Sequence, residues 1–258
     1  PVYNVKDDQL EECINSVINQ TYDNWELCLV DDASTWKNVR KTLSKYETNS
    51  KINIIYRTEN GHISKSTNDG IKVAKGDFIA FLDCDDILAP NAIYEMTKKL
   101  NEDPEYDFIY SDEDKLTADG KKRHSPFFKP DWSPDTFMSL MYTCHFSMYR
   151  KTIVDEINGL RSEFNGAQDY DFTLRFTEKA NKIGHISKLL YHWREREESI
   201  ASNPEAKPYA LKAVKRCKEE ALKRRGLKGT VEYVDDMFQY RVKYINNNRP
   251  LISIIIPS

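Results

Sequence analysis

The carboxylates of this sequence cluster where apolar runs end. In Phe81-Leu-Asp-Cys-Asp-Asp86, three acids, Asp83, Asp85 and Asp86, occupy four positions. Like charges this close repel, and a divalent cation relieves the repulsion. Hard oxygen ligands suit Mg2+ or Mn2+. Such a cation can bridge protein and diphosphate and neutralise a departing nucleotide. A solvated acidic turn before a helix at Pro90 is the plainer alternative. In Val30-Asp-Asp-Ala-Ser34, Asp31 and Asp32 follow another apolar run. Carboxylates at strand ends can accept hydrogen bonds from a base or a ribose, and equally they can cap the next helix. Gly166-Ala-Gln-Asp-Tyr-Asp171 sets Asp169 at a predicted helix start. There it can act as a general base on a hydroxyl, complement the helix dipole, or both. His192, in Tyr191-His-Trp-Arg194, offers an imidazole ligand. A lone histidine is more commonly structural, so that role leans on the metal site already implied. Asp112-Glu-Asp114 reads as a second acidic cluster or a solvated turn. Trp132, Trp193 and His145 read as a sugar-stacking platform or as core and rim.

These residues need elements to place them. After Asp7-Asp8, the apolar residues Leu10, Ile14, Val17 and Ile18 fall at helical spacing. Trp25–Val30, Ile52–Tyr56 and Phe78–Leu82 are strand-length apolar runs, and Phe108–Tyr110 is a short one. Helical stretches lie between them: one reaching about Tyr46, then Ser64–Ala74 and Asn91–Leu100. This alternation predicts an α/β fold with a mostly parallel sheet and helices on both faces. Farther on, Lys121–Pro134 carries three prolines and predicts loop or edge strand. Asp169–Ala180 and Lys207–Arg225 predict helices, the second closed by Gly226. Ile183–Trp193 predicts a strand, and shorter strands lie near Val231 and Tyr240.

Composition narrows the class. The 258 residues suffice for one large domain, with 40% hydrophobic and 31% charged. A net charge of −3 offers no basic face for nucleic acid. Five widely spaced cysteines without a C-x-x-C predict reduced core thiols, hence a cytoplasmic setting. No apolar stretch reaches membrane-spanning length.

In their order and spacing these segments resemble family-2 glycosyltransferases of GT-A fold over most of the chain. The resemblance is carried by Pro1-Val-Tyr-Asn4, Val30-Asp-Asp-Ala-Ser34, Asn68-Asp-Gly-Ile-Lys-Val-Ala-Lys-Gly76, Leu82-Asp-Cys-Asp-Asp86, Tyr110-Ser-Asp-Glu-Asp-Lys115, Phe128-Lys-Pro-Asp-Trp-Ser-Pro-Asp135, Gln168-Asp-Tyr-Asp171 and Tyr191-His-Trp-Arg194. It implies a Rossmann-like GT-A sheet with a C-terminal helical extension. It also implies that Pro1, Val2 and Tyr3 line a nucleotide pocket beside Asp31 and Asp32, and that His62, Lys65 and Asn68 contact the nucleotide or its phosphates. Asp83 and Asp85 fit the D-x-D motif, with Asp85 and His192 as metal ligands and Asp169 as the base. Gln168 stands where the family usually has an acid. The implied reaction is an inverting transfer from a UDP- or dTDP-sugar to a glycan or lipid-linked acceptor, with Mn2+ or Mg2+. Its setting is surface-polysaccharide synthesis, with peripheral association at the inner face of the membrane allowed.

The resemblance and the chain ends together imply tandem domains. Pro250–Ser258 reads as the start of a second glycosyltransferase-like domain. Residues 1–200 read as the first such domain, without its opening strand, and 201–249 as a C-terminal helix and linker. Two alternatives make Ile252–Ile256 this domain's own last strand, or the filler of its own first-strand slot. Two competing functions are a non-catalytic GT-A-like module that binds nucleotide sugars or glycans, and a nucleotidyltransferase. Against the second, Pro1–Gln9 has no Gly-rich basic phosphate loop.

Overall fold

The computed structural model describes residues 1–195, 208–235, 239–246 and 250–256. Its elements in order are α1 (Asp7–Ile18), β1 (Leu27–Asp31), α2 (Lys37–Ser44), β2 (Ile52–Tyr56), α3 (His62–Val73), β3 (Phe78–Ala80), β4 (Ile87–Leu88), α4 (Ala92–Glu102), β5 (Phe108–Leu116), β6 (Arg123–Phe127), α5 (Pro134–Ser139), β7 (Ser147–Arg150), α6 (Lys151–Glu156), α7 (Gln168–Thr177), β8 (Ile183–Arg194), α8 (Pro208–Arg224), β9 (Gly229–Val234) and β10 (Gln239–Tyr244).

The α/β alternation matches the sequence reading, but the pairing is mixed rather than mostly parallel. Among the described residues, β1 and β2 form a parallel pair, and a six-stranded sheet runs β3-β7-β5-β8-β4 with β6 added on β5. Within that sheet only β5–β8 is parallel; β3–β7, β5–β7, β4–β8 and β5–β6 are antiparallel. The sequence pattern of short buried runs does not carry strand direction. Val2 makes an isolated parallel bridge to Asp31, which places the first residues beside β1.

The largest departure is β5. Phe108–Tyr110 extends through Ser-Asp-Glu-Asp to Leu116, and Asp112, Glu113 and Asp114 are all buried. The solvated-turn reading is therefore wrong. These acids lie within a sheet because each finds a cation, an imidazole or a backbone donor, which is what buried charge requires. Lys121–Pro134 supplies the edge strand β6, and β3 stops at Ala80, before Phe81 and Leu82.

Three apolar clusters hold the layers. One gathers Val2, Val5, Leu10, Ile14, Leu29, Val39, Leu43 and Ile52 between α1, α2 and the β1–β2 pair. A second joins Val17, Leu88, Met96, Ile109 and Leu190. The largest is aromatic and includes Phe108, Tyr149, Phe172 and Phe176, with Phe108 and Tyr149 stacked at 4.6 Å. Ala213, Cys217, Ala221 and Leu222 of α8 belong to it, so α8 packs on the same core as α7. The β9–β10 hairpin adds Val231 and Val242 to its margin. Cys13 and Cys217 are core thiols, whereas Cys28, Cys84 and Cys144 are only half-buried. No helix among the described residues is long and apolar enough to cross a membrane.

Ile252–Ile256 forms no strand, and its isoleucines are exposed. It is neither the domain's last strand nor a filler of the domain's own first-strand slot.

Candidate active site

The acidic loop after β3 is fastened to β8. Tyr191 Oη donates to Asp86 Oδ2 at 2.6 Å and accepts from the Asp83 N–H at 3.2 Å. The Arg194 N–H donates to Asp86 Oδ1 at 2.7 Å, and its Nε to the Asp85 carbonyl at 2.7 Å. Arg194 continues to Glu12 of α1 at 2.5 Å. Burial, with Asp83 and Asp85 beside it, pushes the Asp86 carboxyl well above the usual range. Asp86 therefore anchors the loop from behind. Asp85 is also buried, and Asp83 keeps a solvent-facing surface.

His192 lies opposite Ile87, the residue after Asp86, in the β4–β8 register. Its Nδ1 meets Asp114 Oδ1 at 2.7 Å. A carboxylate on Nδ1 leaves Nε2 with its lone pair, the arrangement that orients metal-ligating imidazoles. Burial lowers the His192 pKa, with Asp114 opposing, so the ring stays neutral near pH 7. In kind, two carboxylates and a neutral imidazole fit a hard divalent cation. Among the described residues, no three His, Cys, Asp or Glu side chains gather as a metal cage.

Asp169, at the start of α7, keeps an exposed surface although it lies deep among protein atoms. Burial raises its carboxyl; His145 lowers it, and the charge of Asp83 adds to the rise. Asp169 and Asp83, far apart in sequence, thus share one electrostatic neighbourhood. The His145 ring stacks on Tyr191 with centroids 4.6 Å apart and approaches Trp193 at 6.1 Å. Trp132 instead packs into the aromatic core against Phe137 at 5.1 Å, so the three proposed platform residues do not form one surface.

The β1 end is a separate wall. Asp32 Oδ1 accepts from the Gly61 N–H at 2.9 Å and pairs with Arg57 Nε at 2.9 Å. Asp31 accepts from the Ser34 N–H at 2.9 Å and meets Arg40 at 3.3 Å. The Asp32 carbonyl accepts from Asn60 at 3.2 Å, which stitches the 60–62 turn to β1. His62, at φ +61°, opens α3, and both His62 and Lys65 are exposed. A Cβ at Gly61 would lie 2.6 Å from the Arg57 guanidinium and 2.9 Å from the Lys65 Cβ, so the packing there would have to shift. Val2 is buried beside Asp31, Tyr3 is exposed and Pro1 half-buried. Asn68 uses both ends of its amide on the Leu160 backbone, at 2.8 Å each. It fixes the 158–160 turn.

Sequence reasoning missed the supports. Lys129 is buried with Glu113 at 2.9 Å, donates to the His145 carbonyl, and gives its N–H to Asp112 at 2.8 Å. His185 bridges Asp112 at 2.8 Å and Asp131 at 3.2 Å. Asp171, two residues past Asp169, is clamped by Arg161 and Arg175 and is structural. The only advance signal was charge inside strand-like runs.

Residues 1–158 match the model of Glycosyl transferase family 2. The O-antigen biosynthesis protein RfbC of Myxococcus xanthus is 40% identical over 258 residues, covering 100% of this chain and 20% of that protein. The chain thus spans a small part of that relative's length. Among solved structures, S. aureus TarS residues 1–349 in complex with UDP-GlcNAc aligns with a TM-score of 0.65 at 20% identity, over 83% of this chain and 67% of that one. The mannosyltransferase PcManGT from Pyrobaculum calidifontis, in complex with GDP-Man and Mn2+, aligns with a TM-score of 0.64 at 14% identity, over 86% and 62%. The fold is that of these glycosyltransferases.

Proposed function

The chain belongs to glycosyl transferase family 2, and from that premise we propose that it moves a sugar from a nucleoside-diphosphate donor to an acceptor hydroxyl, with inversion, in surface-polysaccharide synthesis. The observation that carries the reading is Asp169: a solvent-facing carboxylate, raised by burial, within reach of the charge of Asp83. A base whose pKa moves up toward working pH removes a proton more effectively.

In this reading the acceptor oxygen attacks the anomeric carbon from the Asp169 side. Its proton passes to the Asp169 carboxylate. The bond from the anomeric carbon to the phosphate oxygen breaks, and the nucleoside diphosphate leaves with the electron pair. One displacement inverts the anomeric centre and needs no covalent enzyme intermediate. Asp83, Asp85 and His192 would hold a divalent cation, which when bound offsets the charge of the leaving diphosphate. Tyr191 and Arg194 keep the loop in place for this. The wall of Pro1, Val2, Tyr3, Asp31 and Asp32, with His62 and Lys65, would take the base, ribose and phosphates. The setting is the cytoplasmic side, at the inner face of the membrane if the acceptor is lipid-linked. The relatives' greater length supports further domains in the whole protein.

The test is release of nucleoside diphosphate from UDP-, dTDP- and GDP-sugars by the parent chain and by Asp169→Asn. Turnover in the parent and its loss in the variant, with donor binding retained, is expected. Full turnover in Asp169→Asn would refute the base assignment.

A further inference from the structure

The register of β5 sets one face of the larger sheet apart. Glu113 pairs with Phe127 of β6 on one side and with Tyr191 of β8 on the other, and Lys115 pairs with Trp193. Residues two apart on a strand share a face. Phe127, Glu113, Lys115, Tyr191 and Trp193 therefore line one face, while Asp114 and His192 meet on the opposite one. The side-chain contacts agree. Lys129 Nζ meets Glu113 Oε2 at 2.9 Å, lies 5.9 Å from the Phe127 ring centroid and donates to the His145 carbonyl. The His145 ring stacks on Tyr191 at 4.6 Å and stands 6.1 Å from Trp193, which has Lys115 over it at 5.8 Å. Phe127, His145 and Trp193 are thus three rings joined through contacts on one face. Phe127 takes the part that sequence reading gave to Trp132, which lies in the aromatic core.

This face is open and adjoins Asp169. Phe127 is 39% exposed, and His145 and Trp193 are half-buried. Of the ion pair between the rings, Lys129 is wholly covered, and Glu113 keeps 10% of its side chain exposed. Burial raises the Cys144 thiol, and the charges of Glu113 and Asp169 add to the rise, so both carboxylates lie about one thiol. His145 acts on Asp169 directly, lowering its carboxyl against the effect of burial.

Aromatic faces with a few placed polar groups are what a small-molecule site offers. A pyranose matches them, with an apolar C–H face and a rim of hydroxyls. We infer that Phe127, His145 and Trp193 form a pyranose-binding subsite, the seat of the acceptor's terminal sugar, with Glu113 accepting from one of its hydroxyls. The acceptor role rests on the transferase reading, because Asp169 is what makes a sugar beside it an acceptor.

The experiment is NMR on the full chain, following the His145 and Trp193 ring signals during titration with the methyl pyranosides of glucose, galactose, rhamnose and N-acetylglucosamine. One or more of these glycosides should move both ring signals to saturation. Phe127→Ala should weaken that binding about tenfold, the loss of one aromatic contact. Phe127→Tyr keeps the ring and should restore it. Three results would each overturn the subsite. They are no movement of the rings with any glycoside, binding that moves other signals only, or an affinity unchanged by Phe127→Ala. Release of nucleoside diphosphate from nucleotide sugars separates the two readings. Donor turnover without pyranoside at the rings would refute the subsite alone. Pyranoside at the rings of a chain that turns over no donor would uphold the sugar site and refute the transfer.

Discussion

Asp169 and Asp86 are both raised carboxyls with different work. Asp86 is buried behind the acidic loop and holds Tyr191 and Arg194, whereas Asp169 faces solvent. The rate should fall as pH drops through the raised Asp169 pKa, giving an acid limb above the ordinary carboxylate range. A pH profile of turnover checks this, and Asp169→Asn should cost about 10²–10⁴-fold in kcat. The same shift has a stability sign. A folded carboxyl raised above its unfolded value binds protons more readily in the folded state, so its contribution declines as pH rises through that interval. Asp169→Asn should therefore melt no lower than the parent at neutral pH. Asp83 and Asp85 after an apolar run, and Asp169 at a helix start, were legible as candidate site carboxylates from their types and positions. The burial of Asp112–Asp114 was not, because the partners that satisfy them, Lys129, His185, Arg123 and His192, are met only once β5, β6 and β8 pair.

At the scale of elements, β8 organises the site. It pairs with β5 and β4, and through Tyr191 and Arg194 it fixes the loop after β3. Tyr191→Phe removes the donor to a buried carboxylate and should cost about 1–3 kcal/mol of stability. Denaturant melts would measure it, together with weaker cation-dependent nucleotide binding. Helix positions followed from apolar spacing, as in α1, where Leu10, Cys13, Ile14 and Val17 share the buried face. Strand ends and directions did not follow, because they depend on which edge a run meets. Thus β5 runs to Leu116, past the expected end at Tyr110.

At the scale of the molecule, α8 is bound to α7 by more than apolar contact. Arg161 joins Asp171 of α7 to Glu220 of α8, and Arg175 closes on Asp171 at 2.9 Å. Asp171→Ala removes the buried carboxylate shared by two guanidinium groups and should cost about 3–5 kcal/mol, read from unfolding midpoints. Lys218 of α8, buried and donating to the Ser139 and Tyr240 carbonyls, ties α5 and β10 to the same unit. Burial lowers its pKa to about 8. That is the reverse of a stabilising cation: stability should rise from about pH 8 toward the ordinary lysine range, as the folded state sheds the proton first. Sequence reading found α8 and Gly226 but took this region as helix and linker, because packing onto α7 leaves no local mark. Cation-assisted binding of a nucleoside diphosphate is central to the proposed transfer. The most direct measurement is the melting temperature of the chain with UDP, dTDP and GDP, each with Mn2+ or with EDTA. A ligand of the folded state at about 100-fold its Kd adds about 2.7 kcal/mol. A rise with one nucleotide class that depends on Mn2+ is expected of the proposed transferase. No rise with any nucleotide, or a rise unchanged by EDTA, would contradict it.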